Sequence, residues 1–204
     1  MNIHDIMTIA PVIPVLVLDD DGPDPVALAE TLVENGLPVI EVTLRTDNAL
    51  DAMEKMASVE GAIVGAGTVL GPAQLLEACD YGAQFIVSPG LTETLVRTAH
   101  DKRVPLLPGV ATAGEIMRGM EMGLDHFKFF PAEANGGLPA LKAISAPLAA
   151  AKFCPTGGVR ADTAAEWLAH DAVLCVGGSW ILPSGEKDLE KVAERAREAA
   201  ALKE

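Results

Sequence analysis

The run LVENGLPVIEVTLRT (residues 32–46) contains one complete passage from helix to strand. Leu32 and Val33 continue an apolar spacing begun at Leu28, which across 24–35 fits a helix laid against a core. Asp24 followed by Pro25 supplies an N-cap and a first-turn proline, and Gly36 stands where a C′ glycine ends a helix. The next run, PVIEVTL (38–44), is too apolar for simple alternation, which implies a strand buried on both faces. Glu41, Thr43 and Arg45 interrupt it at period two and therefore share one face.

Outward from this unit the same passage recurs. Comparable β-rich runs are PVIPVLVL (11–18), AIVGAGTV (62–69), AQFIVSPG (83–90), VPLLPGVA (104–111), DHFKFFP (125–131), KFCPTGGV (152–159) and VLCVGGSW (173–180), making eight in all. Segments of helical spacing separate them, such as Leu75, Leu76 and Cys79 in 72–81. Thr112 with Glu115 forms a capping-box pattern, and Gly82 and Gly123 mark further helix ends. Eight successive βα units of fully buried strands predict an α/β fold, a closed (β/α)8 TIM barrel, over an open doubly wound sheet. The 204 residues stand at the short end for that barrel and predict a single domain over 1–204, with a short N-terminal helix at 2–9 closing the bottom.

A formal net charge of −14 offers no basic field for nucleic acid or an anionic membrane surface. No apolar run approaches the ~20 residues of a bilayer span, and MNIHDIMTIA has neither a basic n-region nor a small-residue cleavage site, so a cytoplasmic protein is expected. Cys79, Cys154 and Cys175 are odd in number and lack C-x-x-C spacing, which reads as buried thiols, the last two packed on neighbouring strands. His4, His100 and His170 fall on helices or helix ends without carboxylates at ligand spacing, so neither a metal nor another cofactor is expected. Met117, Met120 and Met122 read as helix packing.

In such a barrel the reacting groups stand at the carboxyl ends of the strands. In the sixth run Phe127 and Phe129 face one way and His126, Lys128 and Phe130 the other; turning the phenylalanines to the helices puts Lys128 inside. Loss of hydration there favours the neutral, nucleophilic amine, which attacks ketones to give an imine, an electron sink for carbon–carbon cleavage. Strands two and six face each other across an eight-membered ring, so Glu41 can reach Lys128 and move protons, or else hold the lysine charged. His126 sits lower and reads as structural. Thr68 ends strand three, and Arg45 offers a bidentate fork for a carboxylate. Gly157-Gly158 and Gly177-Gly178 follow strands seven and eight before possible helix starts, where backbone N–H groups and Ser179 would hold a phosphate. Each has a plainer reading: Lys128 and Glu41 as a structural ion pair, Arg45 and Thr68 as loop caps, the glycine pairs as tight turns.

The strings EVTLRT (41–46), VGAGTVL (64–70), SPGLTE (88–93), FKFFPAEANGG (127–137), FCPTGG (153–158) and CVGGSW (175–180) span most of the chain. Together they resemble the 2-keto-3-deoxy-6-phosphogluconate aldolases, class I enzymes with a (β/α)8 fold. The resemblance implies Lys128 as the Schiff-base lysine and Glu41 as the general acid/base. It also implies Arg45 and Thr68 at the pyruvoyl carboxylate, Pro89 and Phe130 as pocket walls, and Gly157, Gly158, Gly178 and Ser179 at the phosphate. It further implies cleavage of a phosphorylated sugar acid to pyruvate and glyceraldehyde 3-phosphate, cleavage of 4-hydroxy-2-oxoglutarate in many members, and a homotrimer without a metal. Some relatives carry an arginine in strand one, whereas PVIPVLVL has no basic residue; Arg160 and Trp180 have no role by resemblance. A barrel of this kind could instead isomerise a phosphorylated metabolite or bind one as a sensor.

Overall fold

The computed structural model describes residues 1–203. Its eight strands are β1 (Val12–Leu16), β2 (Val39–Thr43), β3 (Ile63–Gly67), β4 (Phe85–Ser88), β5 (Leu106–Val110), β6 (His126–Phe129), β7 (Lys152–Pro155) and β8 (Val176–Gly178). Every pairing is parallel and the order is β7-β6-β5-β4-β3-β2-β1-β8. Single bridges from Phe153 to Val173 and from Thr156 to Gly177 join β7 to the segment around β8, so the sheet closes on itself and has no long free edge. The helices alternating with the strands are α2 (Pro25–Glu34), α3 (Ala49–Ala57), α4 (Pro72–Asp80), α5 (Glu93–Lys102), α6 (Ala113–Glu121), α7 (Gly137–Ser145), α8 (Ala161–Leu168) and α9 (Leu189–Ala200), with α1 (Ile3–Ile9) preceding β1. This is the (β/α)8 barrel expected.

The local signals act where the sequence placed them. Asp24 accepts a hydrogen bond from the Ala27 amide at the start of α2, behind Pro25. Thr112 and Glu115 form the full capping box of α6. Gly36, Gly82 and Gly123 stand one residue past the C-caps of α2, α4 and α6 with φ between 84° and 88°, the left-handed turn that glycine adopts without a Cβ clash.

Alternation sorts the strand residues into two cores. Facing the helices, Phe127 packs into α6 where Gly119 leaves room, for a Cβ there would lie 2.4 Å from the ring. Phe129 meets Trp167 of α8 with ring centroids 6.4 Å apart. Inside the barrel, Ile13, Val39, Phe85, Val87 and Leu107 pack with Ile6 and Met7 of α1, which plugs the bottom. Phe85 fits because its register partner on β3 is Gly65. Cys154 and Cys175 are buried thiols in this interior, and Cys79 is half-buried on α4.

Three expectations need correction. Met117 is 53% exposed, because α6 turns Ile116 and Gly119 to the barrel and Met117 to solvent; Met120 and Met122 pack as expected. Gly177 and Gly178 belong to β8, and α9 starts well beyond them at Leu189, so no helix N-terminus follows that pair directly. Their small size serves strand packing: a Cβ on Gly177 would lie 2.3 Å from Thr156 Oγ1, and one on Gly178 2.8 Å from Val12. Arg45 lies beyond the end of β2 on an exposed turn, so it does not extend the strand face that carries Glu41 and Thr43.

Candidate functional site

Lys128 occupies the third position of β6, between phenylalanines that face outward, and its side chain enters the barrel with 6% of the residue exposed. Glu41, at the middle of β2 on the far side of the ring, is 3% exposed. The two meet across the interior, Lys128 Nζ donating to Glu41 Oε1 at 3.1 Å. Removing two charges from water costs several kcal/mol per ion, and only a close, hydrogen-bonded geometry offsets it. A pair held there at such a cost suits chemistry better than stability.

The surroundings explain how the pair is held. A Cβ on Gly67 of β3, the strand beside β2, would lie 2.3 Å from Glu41 Oε1, so the carboxylate rests over bare backbone. Sequence reading missed this residue; its signal was glycine at both Gly65 and Gly67, inward positions where a strand ordinarily places a side chain. Gly109 of β5 pairs in register with Lys128, and a Cβ there would lie 2.1 Å from the Pro89 carbonyl oxygen. The end of β4 is thereby drawn in beside the lysine, which brings Pro89 into place. Phe130 follows β6 with Lys128 Nζ 5.3 Å from its ring centroid. His126, one inward position lower, bonds His4 of α1 at 3.0 Å and Asp125 at 2.6 Å, away from the mouth.

At the mouth, Arg45 Nε donates to Thr68 Oγ1 at 3.3 Å, joining the ends of β2 and β3. Thr68 adopts φ 59°, a conformation that costs about 1–3 kcal/mol in a non-glycine residue and clusters at functional sites. After β7, Gly157 and Gly158 have φ 95° and 86° and lead to α8, capped by Arg160. A Cβ on Gly157 would lie 3.2 Å from the Phe130 ring, so this turn abuts the residue that covers the lysine. The loop after β6 is fastened to it by Ala132 N donating to Thr156 O and Glu133 N to Gly157 O. Gly158 and Ser179 line a common cavity of about 640 Å³, walled mainly by apolar residues including Trp180. Among the described residues no group of three or more His, Cys, Asp or Glu side chains could hold a metal ion.

Known proteins resemble this chain along nearly its whole length. A "KHG/KDPG aldolase" of Escherichia coli is 49% identical over 200 residues, covering 96% of this chain and 93% of its own. A crystal structure of the 2-keto-3-deoxy-6-phosphogluconate aldolase of Zymomonas mobilis with 3-phosphoglycerate superposes with a TM-score of 0.95 at 50% identity, over 98% of this chain and 95% of that one. A KDPG aldolase from Legionella pneumophila, solved with pyruvate captured as a covalent carbinolamine intermediate, has a TM-score of 0.93 at 40% identity, over 98% and 99% of the two chains. The family model described as KDPG and KHG aldolase matches residues 3–195, and with relatives this alike along nearly their whole length the chain belongs to that family.

Proposed function

We propose that this chain is a class I aldolase that cleaves 2-keto-3-deoxy-6-phosphogluconate to pyruvate and D-glyceraldehyde 3-phosphate, and that also splits 4-hydroxy-2-oxoglutarate to pyruvate and glyoxylate. The observation that carries the reading is the 3.1 Å contact between two buried side chains, Lys128 and Glu41, in the barrel of a family member. The Lys128 amine attacks the C2 ketone, and Glu41 supplies the proton that lets water leave the carbinolamine. The resulting iminium draws the electrons of the C3–C4 bond as Glu41 takes the proton of the C4 hydroxyl. The aldehyde departs, the enamine left on Lys128 is protonated at C3, and water releases pyruvate and the free amine.

Arg45 and Thr68 receive the C1 carboxylate, Pro89 and Phe130 confine the pyruvoyl part, and the turn at Gly157 and Gly158 with Gly178 and Ser179 takes the phosphate at the other end. Backbone N–H groups at the start of α8 give an acidic chain a local site for an anion. The whole chain works as one barrel domain without a metal or other cofactor, as a cytoplasmic homotrimer. No helix among the described residues is long and apolar enough to cross a membrane.

The direct test is continuous measurement of pyruvate release through a coupled lactate dehydrogenase. Wild-type protein should turn over the phosphorylated substrate, and Lys128→Met should lose at least about a thousandfold in kcat, the scale seen when a covalent nucleophile is removed. Turnover by the methionine variant at a comparable rate would remove the imine mechanism.

A further inference from the structure

Arg160 has no part in the site as assigned. It caps α8 immediately after the Gly157-Gly158 turn, and its side chain is 63% exposed. The guanidinium does not wander freely: Nε meets Asp162 Oδ1 at 3.0 Å and Nη2 meets Oδ2 at 3.1 Å, a planar fork on a planar fork. The bond from Arg160 holds the Asp162 carboxyl below the usual carboxylate range, so the pair stays ionised at neutral pH. Such a pair occupies one edge of the guanidinium and leaves the Nη1 edge to another acceptor.

Arg160 lines the same cavity of about 640 Å³ as Gly158 and Ser179, and of the described residues lining it Arg160 is the one cation and Asp19 the one anion. Trp180, Leu182 and the rest of the wall carry no charge. A phosphorylated substrate approaches a chain of net charge −14, and of the groups lining this cavity the Arg160 guanidinium, its charge offset in part by Asp162, is the one that attracts an anion and still has donors to give it.

We infer that Arg160 is a specificity-determining residue that binds the phosphoryl group of the substrate through its Nη1 edge, with Asp162 as a positioning residue that holds the fork toward the cavity. This rests on the reading of Gly157, Gly158 and Ser179 as the phosphate cradle. The backbone cradle binds an anion of any kind; the fixed fork adds two-point recognition of a tetrahedral oxyanion and sets the preference for phosphorylated over unphosphorylated substrate. A surface ion pair that merely capped the helix would act on stability and not on substrate choice.

The test is steady-state kinetics of the full chain with 2-keto-3-deoxy-6-phosphogluconate and with 2-keto-3-deoxygluconate, plus inhibition by inorganic phosphate. Arg160→Met should raise KM for the phosphorylated substrate about tenfold, the scale of one charge-assisted hydrogen-bond pair, with kcat and the unphosphorylated reaction unchanged. Phosphate inhibition should weaken in parallel, Arg160→Lys should restore part of the affinity, and Asp162→Asn should shift the same ratio in the same direction by less. If wild type prefers the phosphorylated substrate and Arg160→Met retains that preference and the phosphate inhibition, Arg160 is a helix-end ion pair and the inference is wrong. Equal losses on both substrates with a lowered melting temperature would likewise make Arg160 structural and overturn the inference. If wild type itself shows neither preference nor inhibition by phosphate, the cradle reading falls, and the inference with it.

Discussion

Gly67 shapes the site by having no side chain. The Glu41 carboxylate occupies the space where a Cβ would stand, 2.3 Å away, and is thereby set against Lys128. Gly67→Ala should displace the carboxylate and lower kcat by about a hundredfold, the cost of roughly an ångström of misplacement at reacting groups. Glu41→Gln keeps the volume and removes the base, so kcat should fall by about 10²–10⁴. Both variants should still form the pyruvate imine on long incubation, and normal turnover in either would show that the Glu41 position is dispensable. Lys128 was legible in the sequence because Phe127 and Phe129 reveal which face of the strand is interior. The role of Gly67 was not, because a glycine in a sequence signals a permissive backbone and says nothing of which neighbour fills the space. Arg160 was equally opaque: its Asp162 partner is two residues away in sequence, but only the cavity shows what they face together.

At the scale of elements, α6 owes its start to Thr112 and Glu115. Partial burial works against the Glu115 carboxylate, but hydrogen bonds from the Ala111 and Thr112 amides and the Thr112 hydroxyl outweigh it and lower its pKa. A carboxyl lowered in the folded state stabilises at pH values above its unfolded pKa, and that contribution disappears as pH falls through the folded value. Glu115→Gln should cost about 1 kcal/mol in denaturant unfolding at pH 7, with the gap from wild type closing under acid; a constant gap would mean the charge is irrelevant. The chain of Asp125, His126 and His4 links β6 to α1 beneath the active residues. His126→Ala should lower stability by about 1–3 kcal/mol while kcat changes less than about twofold, and a large kcat loss at full stability would move His126 into the chemistry. Caps and strand runs were readable because they depend on neighbours within four residues. The exposure of Met117 and the placement of Gly177 and Gly178 within β8 depend on how each element is turned against the rest, which local pattern does not encode.

For the molecule as a whole, eight buried strand runs separated by helices left little besides a closed parallel barrel. Its closure was harder to read: β7 and β8 are short and join through single bridges, with Gly177 admitting Thr156. After Met1 at the terminus, Leu70 and Met117 are the most open of the large apolar side chains on the described surface, at 64% and 53%. Light scattering should give a molar mass three times the 21.2 kDa of one chain, and a stable monomer would contradict the homotrimer.

Imine chemistry at one residue underlies everything proposed for this barrel, and peptide mass spectrometry after incubation with pyruvate and sodium borohydride tests it most directly. A reduced pyruvoyl adduct should appear on the peptide bearing Lys128 and be lost in Lys128→Met. Folded wild-type protein with no adduct, or with the adduct on another lysine, would contradict it.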